Sequence, residues 1–310
     1  MLMVGFHGSE IPESLVNLLQ DELVTGVIWF RRNIVDTKQV ARVNKELRRL
    51  RPELLIAVDQ EGGPVRRLRE GVTDIPAMRQ IRGPEDAEAI GGILGRELFA
   101  LGFNMNLAPV LDVDSNPANP IIGERSFGAK PEWVAELGIA LHRGLTAAGV
   151  ASCGKHFPGH GDTDLDSHLD LPVLPHEMDR LERVELPPFA AAIAAGIPAL
   201  MSAHILLPAL DPKVPATLSP TILKTLLRSK LGFDGLILSD DLEMQAVADR
   251  FSVEELTKGC VQAGVDLLLI CHEFEKQKCA LRVLRTLAPA RIQASLDRIR
   301  KITTRFPGNN

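Results

Sequence analysis

The segment from Lys155 to Pro172 carries the densest set of reactive side chains in the chain. It holds three of the eight histidines, with four aspartates and one lysine, and it shows no helical or strand period. A long aperiodic segment inside a compact domain is more often functional than not, and so many polar groups are costly to bury. A solvated surface loop is the simpler interpretation, whereas a catalytic loop above a rigid scaffold accounts better for the concentration of histidine.

Within this segment Asp166 and His168 are two residues apart. An aspartate in contact with a histidine fixes the imidazole tautomer and stabilises its cation. A histidine that titrates near neutrality can donate a proton and later take one back from water. The pair is therefore a candidate general acid/base.

A second candidate follows the apolar run Leu236–Leu238, where Ser239 is succeeded by Asp240 and Asp241. A carboxylate at the exit of a buried strand can act as a nucleophile, most often in glycosidases. It can equally cap the next helix. On this feature alone both interpretations of Asp240 stay open.

Metal binding competes with these assignments. Three alternating aspartates beginning at Asp162 imitate the start of a calcium loop, but Ser167 and Val173 occupy the positions that need glycine and a carboxylate. Three histidines in the segment could ligate zinc, yet Pro158 and Gly159 prevent the helical spacing of a zincin motif. The sequence therefore predicts no metal and no other cofactor.

Basic residues accompany the acidic ones. Arg67 follows a Gly-Gly-Pro turn, Arg125 lies in a Gly-Glu-Arg-Ser-Phe block, and Lys155 ends an apolar run. Each alone is most simply a solvated surface charge. Together above one face they would suit a hydroxyl-rich or acidic ligand.

The surrounding sequence alternates short apolar runs with amphipathic helical stretches, and its composition does not change between the halves. Buried parallel strands are continuously apolar, and such alternation is typical of parallel βα units. Eight units favour one (β/α)8 TIM-type barrel, an α/β fold, over residues 1–310 with closing helices at the C-terminus. The eight predicted strands are Met1–Phe6, Gly26–Phe30, Leu54–Val58, Met105–Val113, Val150–His156, Ala199–His204, Gly235–Ser239 and Val265–Cys271.

The candidate residues collect at the C-terminal ends of these strands. Asp59 follows the third strand, Lys155 and His156 end the fifth, His204 ends the sixth, and Asp240 follows the seventh. Barrel enzymes hold their active sites on this face. No Gly-x-Gly-x-x-Gly motif follows the first strand, which disfavours a dinucleotide-binding alternative.

Composition excludes several other classes. A net charge of −5 argues against nucleic acid as the main partner. No apolar run reaches about 18 residues, so no membrane span is expected, and the N-terminus lacks the features of a secretory leader. The four cysteines form no Cys-x-x-Cys pair, and Cys153 and Cys271 lie in apolar runs as core residues. Unpaired cysteines favour the cytoplasm.

Several blocks together resemble glycoside hydrolase family 3, in particular its bacterial β-N-acetylglucosaminidase branch of peptidoglycan recycling. They occur in the family's order and span nearly the whole chain. The blocks are Asp59-Gln60-Glu61-Gly62-Gly63, Gly123-Glu124-Arg125-Ser126-Phe127, Lys155-His156-Phe157-Pro158-Gly159-His160-Gly161-Asp162-Thr163, Asp166-Ser167-His168 and Ser239-Asp240-Asp241-Leu242.

The resemblance implies a barrel enzyme with a two-step retaining mechanism. Asp240 would be the nucleophile and His168 the general acid/base, oriented by Asp166. The implied substrate is N-acetylglucosamine β-1,4-linked to anhydro-N-acetylmuramic acid, with or without peptide, and no protein partner is required. The residues that would hold the N-acetylglucosamine unit are Asp59, Arg67, Arg125, Lys155 and His156.

Two other functions remain as alternatives. An N-acetylglucosaminide phosphorylase would use the same nucleophile, because a neutral histidine acid/base would let phosphate approach the intermediate. A sugar-binding barrel without activity is the alternative from another class. The presence of Asp240, Asp166 and His168 disfavours it.

Overall fold

The computed structural model describes residues 1–164 and 170–309. Eight parallel strands close into a barrel, and a two-stranded antiparallel hairpin follows the third of them. The predicted (β/α)8 architecture is confirmed. The strands are β1 Leu2–Val4, β2 Val24–Trp29, β3 Leu55–Val58, β4 Gln60–Gly62, β5 Val65–Arg66, β6 Met105–Asn106, β7 Ala151–Phe157, β8 Ala199–Ser202, β9 Leu236–Asp241 and β10 Leu267–Ile270.

Helices surround the barrel, and their ends follow the local sequence. Asp36 caps the helix Thr37–Leu50 by accepting a hydrogen bond from the Gln39 backbone. Ser252 and Glu255 form a reciprocal capping box at the start of the helix Val253–Ala263. A π-helical segment covers Thr221–Lys230. The α-helices are α1 Glu13–Leu19, α2 Thr37–Leu50, α3 Pro84–Ala100, α4 Pro131–Ala147, α5 Met178–Arg183, α6 Pro187–Ala194, α7 Gln245–Ala248, α8 Val253–Ala263, α9 Phe274–Leu284 and α10 Pro289–Arg305.

The fourth barrel strand is shorter than the sequence predicted. A strand was expected over Met105–Val113, but β6 ends at Asn106. Pro109 has no N–H to give to a strand ladder. The chain continues beside β7 through a bridge between Val110 and Lys155 and a hydrogen bond from Leu111 N to Lys155 O of 2.6 Å.

The strands supply the core. Every residue of β3 and β10 is buried, and Trp29 packs edge-on against Phe6 and Phe103. Cys153 and Cys271 are fully buried, as expected for core residues, and burial raises the pKa of both thiols. In the two described ranges, no helix is long and apolar enough to cross a membrane.

Candidate active site

A cavity of about 420 Å³ opens at the C-terminal ends of the barrel strands. Its volume lies in the range of small-molecule sites. Apolar side chains such as Ile28, Leu107 and Met201 line its walls. Charged and aromatic side chains complete the lining: Phe30, Asp59, Glu61, Arg67, Arg125, Lys155, His156, His160, Asp240, Asp241 and His272.

Asp240 reaches this cavity from the end of β9. The strand buries its first four residues and leaves Asp240 partly exposed to the cavity. One carboxylate oxygen accepts a hydrogen bond of 2.8 Å from the Asp241 backbone N–H. Burial opposes ionisation, but His156, His204, this N–H and Lys155 outweigh it and hold the pKa of Asp240 below its ordinary value. The side chain is thus kept as a carboxylate.

Lys155 is the centre of an ion-paired cluster beside Asp240. Its Nζ lies 2.8 Å from Asp59 Oδ1 and 2.6 Å from Glu61 Oε1. Arg125 binds Glu61 through two hydrogen bonds of 2.8 and 2.9 Å, and Arg67 Nη2 lies 3.2 Å from Asp59 Oδ2. The cluster therefore fixes donors and acceptors at the cavity wall, where they can hold sugar hydroxyl groups.

The electrostatics of this cluster keep the two carboxylates, Lys155 and Arg125 charged. Burial opposes ionisation of Asp59 and Glu61, but the neighbouring cations outweigh it and lower the pKa of both, that of Glu61 to about 2. The carboxylates in turn raise the pKa of Lys155 and Arg125 despite their burial. Three cations thus face two anions, and Asp240 supplies a third negative charge nearby.

The β4–β5 hairpin brings Arg67 back to Asp59. Gly62 and Gly63 adopt φ angles of +114° and +53° at its turn, which side-chain-bearing residues rarely adopt. The Gln60 side chain then accepts hydrogen bonds of 3.0 Å from the backbone N–H groups of Arg67 and Leu68. The turn therefore places a basic residue eight positions later against the carboxylate that ends the strand.

Asp112 holds His156 and His160 in place. It is fully buried, and its oxygens lie 2.7 Å from His156 Nδ1 and 2.7 Å from the His160 backbone N. Burial opposes its ionisation, but His156 above all lowers its pKa. Because Asp112 occupies Nδ1, the imidazole of His156 is left with Nε2 for other contacts.

His204 supports the turn that carries Asp240. Its Nε2 donates a hydrogen bond of 3.0 Å to the Asp241 backbone carbonyl, and its Nδ1 lies 2.9 Å from Thr217 Oγ1. Burial lowers its pKa, and the Asp240 carboxylate opposes this effect. His204 does not line the cavity and acts through the backbone of its neighbour.

The start of the histidine-rich segment is anchored to the barrel. Asn119 Nδ2 donates to the backbone oxygens of His160 at 2.9 Å and Thr163 at 3.0 Å. Gly161 passes so close to Val113 that a Cβ would lie 1.9 Å from its carbonyl oxygen. Asp166 and His168, the candidate acid/base pair, lie outside the described residues.

The structure thus brings together six of the candidate residues, and it adds two that were not among them. Glu61, which binds both Lys155 and Arg125, stands in the same Asp-Gln-Glu-Gly-Gly block as Asp59 and could have been found there. Asp112 follows an apolar run with no motif around it, and only its contacts in space reveal it. The candidates that the cavity lining joins are Asp59, Arg67, Arg125, Lys155, His156 and Asp240.

Comparison with known proteins identifies the family of the chain. A model of the glycosyl hydrolase family 3 N-terminal domain matches residues 1–302. The chain belongs to glycoside hydrolase family 3. It is 40% identical over 308 residues to a β-hexosaminidase of Thiobacillus denitrificans, a match covering 96% of this chain and 85% of that protein. A β-hexosaminidase of Neisseria gonorrhoeae is 43% identical over 283 residues, covering 87% and 78% of the two chains.

Solved structures of family members share the fold. NagZ from Neisseria gonorrhoeae in complex with N-trifluoroacetyl-D-glucosamine matches with a TM-score of 0.87 and 35% identity, over 96% of this chain and 89% of that one. A family 3 β-N-acetylglucosaminidase from Paenibacillus matches with a TM-score of 0.95 and 45% identity over 98% of this chain. This chain spans 61% of the Paenibacillus chain. The protein is a glycoside hydrolase of the β-N-acetylhexosaminidase type.

Proposed function

We propose that this hydrolase is a retaining exo-β-N-acetylglucosaminidase. It releases N-acetylglucosamine from β-1,4-linked anhydro-muropeptides during cell-wall recycling in the cytoplasm, and residues 1–310 act as one catalytic domain. The observation that carries the proposal is Asp240, an ionised carboxylate in the cavity beside Lys155 and His156. The four cysteines are unpaired, which agrees with a reducing compartment.

The proposed reaction has two displacements at the anomeric carbon. In the first, Asp240 attacks that carbon and the glycosidic oxygen leaves with a proton from His168, which Asp166 orients. In the second, His168 takes a proton from water, and the water oxygen displaces Asp240 and regenerates the carboxylate. Two inversions give net retention. The residues proposed to hold the sugar are Asp59, Arg67, Arg125, Lys155 and His156.

Two cations next to Phe30, which lines the cavity, support an acidic aglycone. The guanidinium carbons of Arg32 and Arg67 lie 4.5 and 5.6 Å from the centre of the Phe30 ring. Arg32 also donates a hydrogen bond of 3.0 Å to the Phe6 carbonyl, which fixes it there. Two cations beside one aromatic ring suit a second sugar that carries a carboxylate, as anhydro-N-acetylmuramic acid does.

A trapping experiment tests the nucleophile. A fluorinated N-acetylglucosaminyl fluoride, which forms the glycosyl-enzyme faster than water removes it, should label one peptide, and mass spectrometry should place the sugar on Asp240. Asp240→Ala should remain unlabelled. Label on another carboxylate, or an inverted first product in proton NMR, would contradict the mechanism.

Product analysis tests the reaction class. We expect free N-acetylglucosamine both with and without inorganic phosphate, whereas the sugar 1-phosphate would identify a phosphorylase.

His168→Ala should slow natural glycosides more than activated aryl glycosides, because only poor leaving groups need the proton. Equal losses on both substrates would contradict the acid role.

The substrate can be tested separately from the chemistry. We expect a higher kcat/KM for the anhydro-muramic disaccharide than for the neutral disaccharide of N-acetylglucosamine, and Arg32→Met should reduce this preference. An unchanged preference in Arg32→Met would contradict recognition of the acidic sugar by Arg32 and would not affect the proposed mechanism.

A further inference from the structure

A second group of ionisable side chains lies outside the active-site cavity. Asp162, His176 and Glu185 each offer one donor atom, and these three atoms lie within 4.8 Å of one another. None of the three lines the cavity that holds Asp240. His176 and Glu185 flank helix α5, so the group joins both ends of that helix to the segment containing Asp162.

Glu185 is the least satisfied member of this group. Its side chain is 2% exposed, and its Oε1 accepts hydrogen bonds of 3.2 and 3.1 Å from Arg180. Its Oε2 is also buried and has no hydrogen-bond partner among the residues that the structure describes. A buried acceptor without a partner costs about 1–3 kcal/mol, and more when it is charged. Burial accordingly raises the pKa of Glu185, and a cation bound to this oxygen would relieve the cost.

Arg180 provides the kind of support that metal-binding carboxylates have. The Arg180 guanidinium also donates a hydrogen bond of 3.0 Å to Ser115 Oγ. This bond, with the two to Glu185, fixes the position of Arg180. Carboxylates that bind a metal through one oxygen are commonly hydrogen-bonded through the other. Arg180 leaves Oε2 of Glu185 free for such a bond while it orients the side chain through Oε1.

The charges of the group favour a cation. Asp162 and Glu185 supply two negative charges and Arg180, whose Nη2 lies 3.6 Å from Asp162, supplies one positive charge. With a neutral His176 imidazole the group is left with one net negative charge. His176 Nε2 is in direct contact with Asp162 Oδ2, which places a nitrogen donor and an oxygen donor side by side.

We propose that Asp162, His176 and Glu185 bind a divalent transition-metal ion. Two carboxylates and one imidazole are ligands that zinc accepts, and water would fill the remaining coordination position. The ion would pair the unsatisfied oxygen of Glu185 and replace the direct contact between His176 and Asp162. It would tie the residues that flank α5 to Asp162, and it takes no part in the proposed glycosyl transfer.

Metal content tests the site without reference to turnover. Purified protein is stripped with a chelator, dialysed against a series of zinc chloride concentrations, and analysed for bound zinc. We expect one zinc per chain in the wild type. His176→Gln and Glu185→Gln should each weaken binding by at least about 100-fold, since loss of an outer-shell partner alone costs 10–100-fold. His7→Gln, which changes an exposed histidine far from the group, is the matched control.

Further variants separate this site from the active-site cavity and from misfolding. Asp240→Asn should keep the zinc, whereas its loss there with retention in His176→Gln would place the ion in the cavity and overturn the proposal. Zinc should raise the unfolding midpoint of the wild type and not that of His176→Gln. Asp162→Asn gives the same test if another variant fails to fold.

Equal zinc binding by the wild type and His176→Gln would overturn the site and leave a metal-free ion-pair network. Because the readout is metal content, failure of the proposed glycosidase mechanism would not affect it.

Discussion

Buried charged clusters occur at both ends of the barrel, but they have different roles. At the C-terminal end, Lys155 pairs with Asp59 and Glu61. At the N-terminal end, Asp266 precedes β10 and is not exposed at all. Its two oxygens accept hydrogen bonds of 2.6 Å from Arg228 and 2.8 Å from the Ser295 hydroxyl. Burial and ion pairing alone therefore do not distinguish the two clusters.

The two clusters differ in whether their hydrogen-bonding groups face other protein groups or an open cavity. Asp266 also accepts from the Ile237 backbone N–H at 3.1 Å and from Arg291 at 3.3 Å, so its acceptors are turned to the protein itself. The other cluster lines a cavity of about 420 Å³, into which Asp240 is partly exposed. In a barrel enzyme, the first arrangement stabilises the fold, and the second can bind and transform a ligand.

The largest expected effect is the loss of turnover in Asp240→Ala. If Asp240 is the nucleophile, kcat should fall by roughly 10⁴-fold or more, as when a member of a catalytic unit is removed. The unfolding midpoint should change little, because the side chain borders a cavity and does not fill the core. Steady-state kinetics and thermal unfolding by circular dichroism measure the two quantities. Near-normal turnover would show that the cavity charge is no more catalytic than Asp266.

Asp266→Ala should show the reverse pattern. The substitution leaves the guanidinium groups of Arg228 and Arg291 without their carboxylate, and breaking a buried ion pair typically costs about 3–5 kcal/mol. Urea unfolding should report this loss, while kcat per active site, counted by trapping with the fluorinated glycoside, should stay at the wild-type value. A variant with normal stability and reduced kcat would reverse the assignment of the two ends.

Part of this contrast could be predicted from sequence because strand ends carry their own signals. The apolar run before Asp240 and the alternation of strands with helices were enough to place Asp59, Lys155 and Asp240 on one face. Parallel strands in a closed barrel have no other way to order their ends. The helices α2 and α8 begin at caps that are local in the sequence, Asp36 for the first and the Ser252–Glu255 pair for the second.

The partners of these residues could not be predicted, because they depend on contacts between distant parts of the chain. Asp112 meets His156 across 44 positions, and Glu61 meets Arg125 across 64. The β4–β5 hairpin and the short helices α5 and α7 are absent from the predicted elements, because segments of two to six residues are too brief to show a period. The Asp162 group is likewise defined by contacts in space and not by spacing along the chain.

The pH dependence of stability distinguishes a buried histidine on a helix from the ion-paired carboxylates of the active-site cluster. His142 on α4 is 3% exposed, and burial lowers its pKa to about 4. Between pH 4 and its unfolded value near 6.5, the unfolded chain binds the extra proton, so stability should fall as the pH decreases through this window. Glu61, with a folded pKa of about 2, contributes stability above its unfolded value near 4.5 and loses it only as the pH falls towards 2.

His142→Gln should therefore flatten the pH dependence above pH 4 without changing the region below it. Over this pH range the free energy of unfolding of the wild type should change by up to about 3 kcal/mol more than that of His142→Gln. Each pKa unit corresponds to about 1.4 kcal/mol. Urea unfolding at a series of pH values measures it. An unchanged profile would mean that the imidazole of His142 has a similar pKa in the folded and unfolded chains.

Asp112 shares features with both clusters, the structural one around Asp266 and the one that lines the cavity. It is as buried as Asp266 and, like it, accepts several hydrogen bonds from the protein, yet its partners His156 and His160 line the cavity. Asp112→Asn keeps the volume but replaces one acceptor oxygen by an amide NH₂, which accepts no hydrogen bond. Only one of the two donors, His156 Nδ1 or the His160 N–H, then keeps its own acceptor oxygen. We expect kcat/KM to fall by roughly 10–100-fold through misplacement of these rings.

A purely structural role would predict something else for Asp112→Asn. Stability would fall as in Asp266→Ala, while kcat and KM per active site, again counted by trapping, would match the wild type. A positioning role requires that kcat or KM change per active site, because both rings that Asp112 holds line the cavity. Asp112 would then show that a saturated buried carboxylate can serve catalysis when the groups it holds face the cavity.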